Sequence, residues 1–400
     1  MKTTINNFTR LLFLFSIPLF LIFQSCEKEI PEPQEEEEEL TSLELDCSDA
    51  VNDGESITLA NRNMGIDYII NCVYQADGDL IIEEGVTIQF GTDAGIKVRE
   101  SGSIQVLGTA ENQVLFTGED KLPGAWRGIF IDCNDPKNKI EHSTIEYAGG
   151  EAFNSNGDQG AVIVWSDTYL DLNNTTITNS KTYGINAVYG GSELLIENNT
   201  ITECESPMIL AGEYPTTITG GNYTGNTLDA IIVEVDQITG AHNWKNLEVP
   251  YHLPAGLQVI PGGLFTVMPG VVMKFGQDSR LFINEGASGE KPSIVAVGTP
   301  EEPIVFTSID NTLAAWQGIY FDSPSTLNEI GFANIENASN SNQDGAIETW
   351  YGTVLNVHDV VFRNIQGCAI YQYISGSGDD TLTTSNLSFE NVTNAEVCQN

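Results

Sequence analysis

Residues 172–179 read Leu-Asn-Asn-Thr-Thr-Ile-Thr-Asn, and residues 196–202 read Ile-Glu-Asn-Asn-Thr-Ile-Thr. The two stretches share one frame, an apolar run, an Asn-rich corner and a second apolar-x-apolar run, and they start 24 residues apart, at 172 and 196. A strand exposes its side chains alternately, so Thr-Ile-Thr buries one residue and leaves two outside. Recurrence of the frame at this interval is about one coil of a β-helix, in which each turn pairs with the next and like residues stack into apolar or Asn ladders. The flanking texture agrees. Short runs such as Ile104-Gln105-Val106, Val114-Leu115-Phe116 and Ile304-Val305-Phe306 are broken by Gly, Asn, Asp or Thr, and no long helical period competes with them. A sandwich has the same texture, and the repeated frame is what selects a solenoid.

Working outward, the chain matches its own later part at an offset of 185 to 190 residues. Gly85-Val86-Thr87-Ile88-Gln89-Phe90-Gly91 returns as Gly270-Val271-Val272-Met273-Lys274-Phe275-Gly276. Gly108-Thr109 and Phe116-Thr117 return as Gly298-Thr299 and Phe306-Thr307, and Trp126-Arg127-Gly128-Ile129 returns as Trp316-Gln317-Gly318-Ile319. Ile145-Glu146 answers Ile335-Glu336, and Gly160-Ala161 with Trp165 answers Gly345-Ala346 with Trp350. Order is kept, and length changes fall in Gly/Ser/Asn-rich turns, where a β scaffold accepts them.

This doubled signature, Phe-Gly, Gly-Thr, Phe-Thr, Trp-x-Gly-Ile and Ile-Glu, resembles the right-handed parallel β-helices of the pectate-lyase-like superfamily, in particular surface proteins of Bacteroidota with that fold. The resemblance covers roughly residues 55 to 398 and implies an all-β solenoid with internal duplication. It specifies a fold and leaves activity to be argued from the site.

The N-terminus carries a separate message. Lys2 and Arg10 flank a polar start, and Leu11 to Phe23 is an apolar run, shorter than the roughly 20 residues of a membrane span and laid out as a signal-peptide core. It closes on Phe23-Gln24-Ser25-Cys26, which resembles the looser lipoboxes of Bacteroidota lipoproteins, and the following Cys-Glu-Lys-Glu resembles their surface-export signals. Cys26 is the expected lipidation site, placing the chain in the outer membrane and exposed on the cell surface. Glu27, Glu29, Glu32 and Glu35 to Glu39 bury nothing and read as a solvated tether. The expected organisation is therefore a signal peptide at 1–25, a lipidated acidic tether at 26–45 and an N-terminal cap at 46–75. The first copy with connecting coils follows at 76–250, and the second copy with a C-terminal cap at 251–400. With 16 Lys plus Arg against 56 Asp plus Glu, a net charge of −40 has the wrong sign for a nucleic-acid partner.

Six further cysteines remain, enough for 15 connectivities. Cys47 with Cys72, and Cys368 with Cys398, would clip the two ends of the domain, where fraying is easiest. The alternative is six buried thiols acting as small hydrophobes.

Catalytic patterns are sparse. The polygalacturonase-like hydrolases of this fold carry Asn-Thr-Asp, Asp-Asp, Gly-His-Gly and Arg-Ile-Lys segments, and only Asp379-Asp380 answers, inside a Ser/Gly turn with no downstream His or Arg. A lyase would need several carboxylates on calcium beside a base, and Lys97, Arg99, Arg127, Lys274, Arg280 and Arg363 are scattered. His142, His242, His252 and His358 show no metal spacing, and His142 is replaced by Phe332 in the second copy. No catalytic or metal residue is assigned and no cofactor is expected, calcium being the one ion the loop oxygens would suit.

The remaining candidates are two matched polar loops. Gly149 to Gln159, with Asp158 near its end, and Asn337 to Asp344 are each followed by Gly-Ala and a tryptophan, Trp165 or Trp350. Aromatic faces beside amide and carboxylate edges suit sugar rings. Asp158, Trp165, Asp344 and Trp350 are thus the candidate ligand-contact residues, expected on one flank of the solenoid with a polysaccharide as partner. Trp126 and Trp316 read as core. The expected function is non-catalytic glycan binding or adhesion; a polysaccharide lyase or glycoside hydrolase, and a structural envelope protein, are the alternatives.

Overall fold

The computed structural model describes residues 41–49, 51–235, 237–286, 289–338, 344–374, 381–394 and 396–399. The leader, Cys26, the tether up to residue 40 and Asp379-Asp380 lie outside the described residues. From Leu40 onward the chain is one compact unit. It is a right-handed parallel β-helix: every strand pairs in parallel with its counterpart one coil earlier or later, on three faces visited in turn.

The deciding stretch shows the geometry. Leu172 pairs with Ile196 on the second face, and Ile177 with Ile201 on the third, so the 24-residue interval is one coil. Leu172, Ile177, Ile196 and Ile201 point into the core while the Thr neighbours stay partly exposed. Between the two faces the backbone turns through a left-handed residue, Asn174 at φ +49° and Asn198 at φ +53°. Asn tolerates that conformation where β-branched residues do not. Asn199 is fully buried and satisfied, its Oδ1 accepting from the Thr175 N–H at 2.9 Å and its Nδ2 donating to the Leu172 carbonyl at 2.9 Å. A second corner, after the third face, carries a ladder in which Asn391 Nδ2 donates to Asn364 Oδ1 at 3.0 Å and Asn364 Nδ2 to Asn337 Oδ1 at 3.2 Å.

The tryptophans of Trp-x-Gly-Ile are core residues. Trp126 stacks on Phe90 with centroids 4.0 Å apart, and Trp316 on Phe275 at 4.3 Å. Each indole N–H donates to the backbone carbonyl of the repeated glutamate, Glu146 at 2.9 Å and Glu336 at 2.8 Å.

Two expected boundaries move. Leu43–Leu45, within the stretch read as tether, already pairs with Tyr68–Ile70 on the third face. Residues 46–75, read as a cap, supply ordinary coil strands Ser56–Leu59 and Tyr68–Ile70, because Leu59, Tyr68 and Ile70 alternate into the same core. The last described coil, Thr381–Ser385, Ser388–Val392 and Val397–Gln399, leaves its inward Leu382 and Phe389 only half-buried.

The copies do not join face to face. Ile231 and Ile232, on the first face of the first copy, pair onward with Tyr251 and His252, which pair with Met273 and Lys274 on the third face of the second copy. The second copy's first face starts afresh at Gln237–Ile238. Trp244, packed on Tyr251 at 4.8 Å and Phe265 at 5.0 Å, fills the core at this hand-over.

Candidate functional site

In the first copy, the strand Val162–Val164 delivers Trp165 to the outside of the first face, where the ring lies half-buried between Phe130 at 5.8 Å and Tyr189 at 4.3 Å. The preceding loop, 149–159, folds across that face. Its Phe153 packs on Phe130 at 5.4 Å and closes over Gly95, where a Cβ would meet the Phe153 ring at 2.7 Å. Arg127 donates to the Ala152 carbonyl, Gln159 Nε2 to the Gly150 carbonyl at 2.6 Å, and Asn186 Nδ2 to the Gln159 carbonyl at 3.0 Å. Asp158, 9 % exposed, accepts from Asn154 Nδ2 at 2.8 Å and from the Tyr189 hydroxyl at 3.2 Å. Three cations edge the face. Lys97 stands 5.0 Å over the Phe130 ring, Arg127 stands 5.9 Å over Phe153, and Arg99 pairs with Asp77 at 3.1 Å. Burial pushes the Asp132 carboxyl up, against the pull of Lys97 and Arg99.

The second copy repeats the unit. Trp350 follows the strand Gly345–Thr349, with Tyr320 at 6.4 Å and Tyr373 at 4.9 Å, and the Tyr373 hydroxyl donates to Asp344 Oδ2 at 3.0 Å. Asp158, Tyr189, Trp165 and Phe130 thus answer Asp344, Tyr373, Trp350 and Tyr320. Here the rings continue, with Phe282 edge-on to Tyr320 at 5.1 Å, Tyr351 against Trp350 at 4.7 Å and Tyr371 against Tyr373 at 4.8 Å. Arg280 lies 4.6 Å over Phe282 and 5.4 Å over Tyr320. Glu348 pairs across the sheet with Tyr320 and Tyr371, and accepts the backbone N–H groups of Asp344 at 2.5 Å and Gly345 at 3.1 Å. Burial pushes the Glu348 and Asp322 carboxyls above their ordinary range and the Tyr320 hydroxyl up to about 12.

Sequence reading found the Asp and Trp of each unit but not the tyrosines that join them. Tyr189 and Tyr373 sit one coil later, and the signal available was the matching aromatic two residues beyond Ala187 and just after Gln372, past the ends of strands that are themselves equivalent by duplication. The expectation of a single flank gives way. Because the first copy's first face runs on into the third face of the second copy, Trp165 and Trp350 belong to different sheets.

The other candidates disperse. Cys47 pairs with Cys72 and Cys368 with Cys398, with Cα atoms 6.2 and 6.1 Å apart, a normal span for a disulfide. Cys133 and Cys204 are buried thiols, and burial raises the Cys204 thiol to about 11. His142 at φ +44° and Phe332 at φ +43° occupy the same left-handed corner, so this position serves the turn in both copies. Burial holds the His252 imidazole down at about 4, while His358 lies 2.9 Å from Asp359 and 3.3 Å from Glu329 on the second face and its corner with the third. Among the described residues no three His, Cys, Asp or Glu side chains gather into a metal-holding set, and no helix is long and apolar enough to cross a membrane. Residues 339–343 of the second polar loop lie outside the described residues.

Residues 54–159 match the family model of a pectate-lyase like beta helix domain, which spans the first coils through to Asp158 and Gln159. No curated protein and no solved structure matches the chain.

Proposed function

We propose that this protein is a lipid-anchored outer-membrane protein, exposed on the cell surface, whose β-helix binds glycans without turning them over. The observation that carries the binding is the repeated Asp–Tyr–Trp–aromatic unit, which in the second copy leaves Trp350 38 % exposed with Tyr351 and Tyr373 around it. An exposed indole offers an apolar face to the C–H side of a sugar ring, and the carboxylates around it accept hydroxyl hydrogens. The anchoring half rests on the apolar leader ending at Cys26 and on the acidic tether.

A glycoside-hydrolase reading has one specific support, the two carboxyls Asp322 and Glu348, both raised by burial on the same sheet face. One experiment separates the readings: a glycan array and a polysaccharide-digestion screen on the compact unit from residue 40 onward. Binding with no new reducing ends is the expected result. Turnover would replace the binding module with an enzyme, and neither binding nor turnover would leave a structural envelope role.

A further inference from the structure

The two units share three residue types and a fourth aromatic position but not their surroundings, and the difference begins with a ring. The first loop carries Phe153, which covers Phe130 and leaves it 2 % exposed. The second loop runs from Asn337 to Asp344 as Asn-Ala-Ser-Asn-Ser-Asn-Gln-Asp and holds no aromatic residue to play that part. Tyr320 is only partly buried, and its neighbours extend the ring series across four adjacent strands from Phe282 to Tyr371. Strands stand about 4.8 Å apart, so such a series suits an extended chain better than a single sugar.

Charge also separates the copies. Lys97, Arg99 and Arg127 edge the first unit, whereas Arg280 is the only Lys or Arg in the strands of the second copy's first face. Asp322, Asp344 and Glu348 oppose it, and Asp278 joins them at the lower end of the face. There a groove of about 480 Å³ is lined by Gln258, Asp278, Ser279, Arg280 and Gln317, side chains suited to hydroxyl groups.

We propose that the open face of the second copy, from Arg280 to Tyr373, binds uncharged polysaccharide and rejects chains bearing uronate carboxylates. This rests on the glycan-binding reading above. Arg280 is held over two rings, and Glu348, 4 % exposed, lies between Tyr320 and Tyr371 in the same cross-strand row, so an incoming carboxylate meets like charge where water is already thin. A hydroxyl meets acceptors instead.

The test uses the full chain in detergent and matched pairs of polymers, each neutral glucan, mannan, xylan or galactan against its own carboxylated derivative. At least one neutral polymer should bind, and its carboxylated partner should bind about tenfold more weakly or worse, equivalent to about 1.4 kcal/mol. The gap should shrink in high salt and in the Asp322→Asn/Glu348→Gln double variant. Trp350→Ala should abolish neutral binding, with Tyr351→Ala, on an exposed ring, as the check if the first variant folds poorly. Equal or tighter binding of a carboxylated polymer overturns this selectivity and leaves glycan binding standing. Binding of no polymer of either kind overturns both.

Discussion

Glu348 faces outward on its strand yet is almost fully buried, because Tyr320 and Tyr371 flank it across the sheet and the backbone of Asp344 and Gly345 closes on it. Burial raises its pKa, so the folded chain keeps the proton over a window where the unfolded chain has lost it. The native state binds more protons there, and stability falls as pH climbs from the ordinary value of 4.5 through the folded one. Glu348→Gln keeps an acceptor for the two N–H groups and cannot ionise. Its midpoint should exceed that of the parent at pH 7 and lose the advantage near pH 3.5, measured by thermal melts. A variant less stable at pH 7 would show that the carboxylate, and not burial, dominates this position. The tryptophans divide by the same criterion of what covers them. Trp126→Ala or Trp316→Ala should cost about 3–5 kcal/mol, since each empties a stacked core position. Trp165→Ala should cost roughly 1–3 kcal/mol, through lost contact with Phe130 and Tyr189. Trp350→Ala should leave the midpoint within a degree or two, and urea titration of the four variants ranks them directly. In the sequence Trp165 and Trp350 look equivalent, because each follows Gly-Ala by the same step. What distinguishes their surroundings is Phe153 over Phe130, a residue in an irregular loop whose landing point no periodicity reveals.

At the scale of the coil, sequence is most informative where the backbone is most constrained. Left-handed corners must recur at the same point of each turn, so Asn174 and Asn198 mark the coil before any strand is assigned. The ladder from Asn337 through Asn364 to Asn391 belongs to the same logic, each amide bridging residues 27 apart. Asn364→Ala removes the donor of one bond and the acceptor of the other, and should cost about 1–2 kcal/mol. His142→Gly, at the corner that Asn174 and Asn198 occupy in later coils, should leave stability unchanged or slightly raised, because glycine relieves the left-handed strain that the imidazole carries. The last coil offers a different test. Its inward side chains are half-exposed, and the Cys368–Cys398 bridge ties it to the coil below. Reducing that bridge, or replacing both cysteines by serine, should speed amide hydrogen exchange in residues 381–399 while the coils around Phe275 and Trp316 stay protected. Uniform loss of protection would mean the end coil is integral to the cooperative unit.

For the molecule as a whole, the fold was readable because a solenoid repeats its instructions, and each copy confirms the other. The hand-over between copies was not. It depends on Ile231 and Ile232 pairing with Tyr251 and His252, beside the packed Trp244, in coils that lack the repeated signature. Without it, equal spacing suggests equal direction, and the two ligand units were expected to line up. The N-terminal message is independent of all this, since the apolar run Leu11 to Phe23 and Cys26 precede the solenoid and share none of its periodicity. Leu11 to Phe23 is shorter than the roughly 20 apolar residues of a membrane span, so a covalent lipid is the anchor that the leader pattern offers. The thiol at the end of that run is the group the lipobox pattern presents for acylation. Cys26→Ala should then accumulate as uncleaved precursor or appear in the soluble fraction, and mass spectrometry of the parent's mature N-terminus should find acyl chains on the residue 26 thiol. The −40 charge makes electrostatic adsorption to an anionic surface an unpromising substitute, so membrane association should survive a high-salt wash in the parent and vanish in the variant. Equal partitioning of the two, with no acyl mass on the parent, would detach the solenoid from any role at the lipid surface while leaving the glycan-binding proposal for its rings untouched.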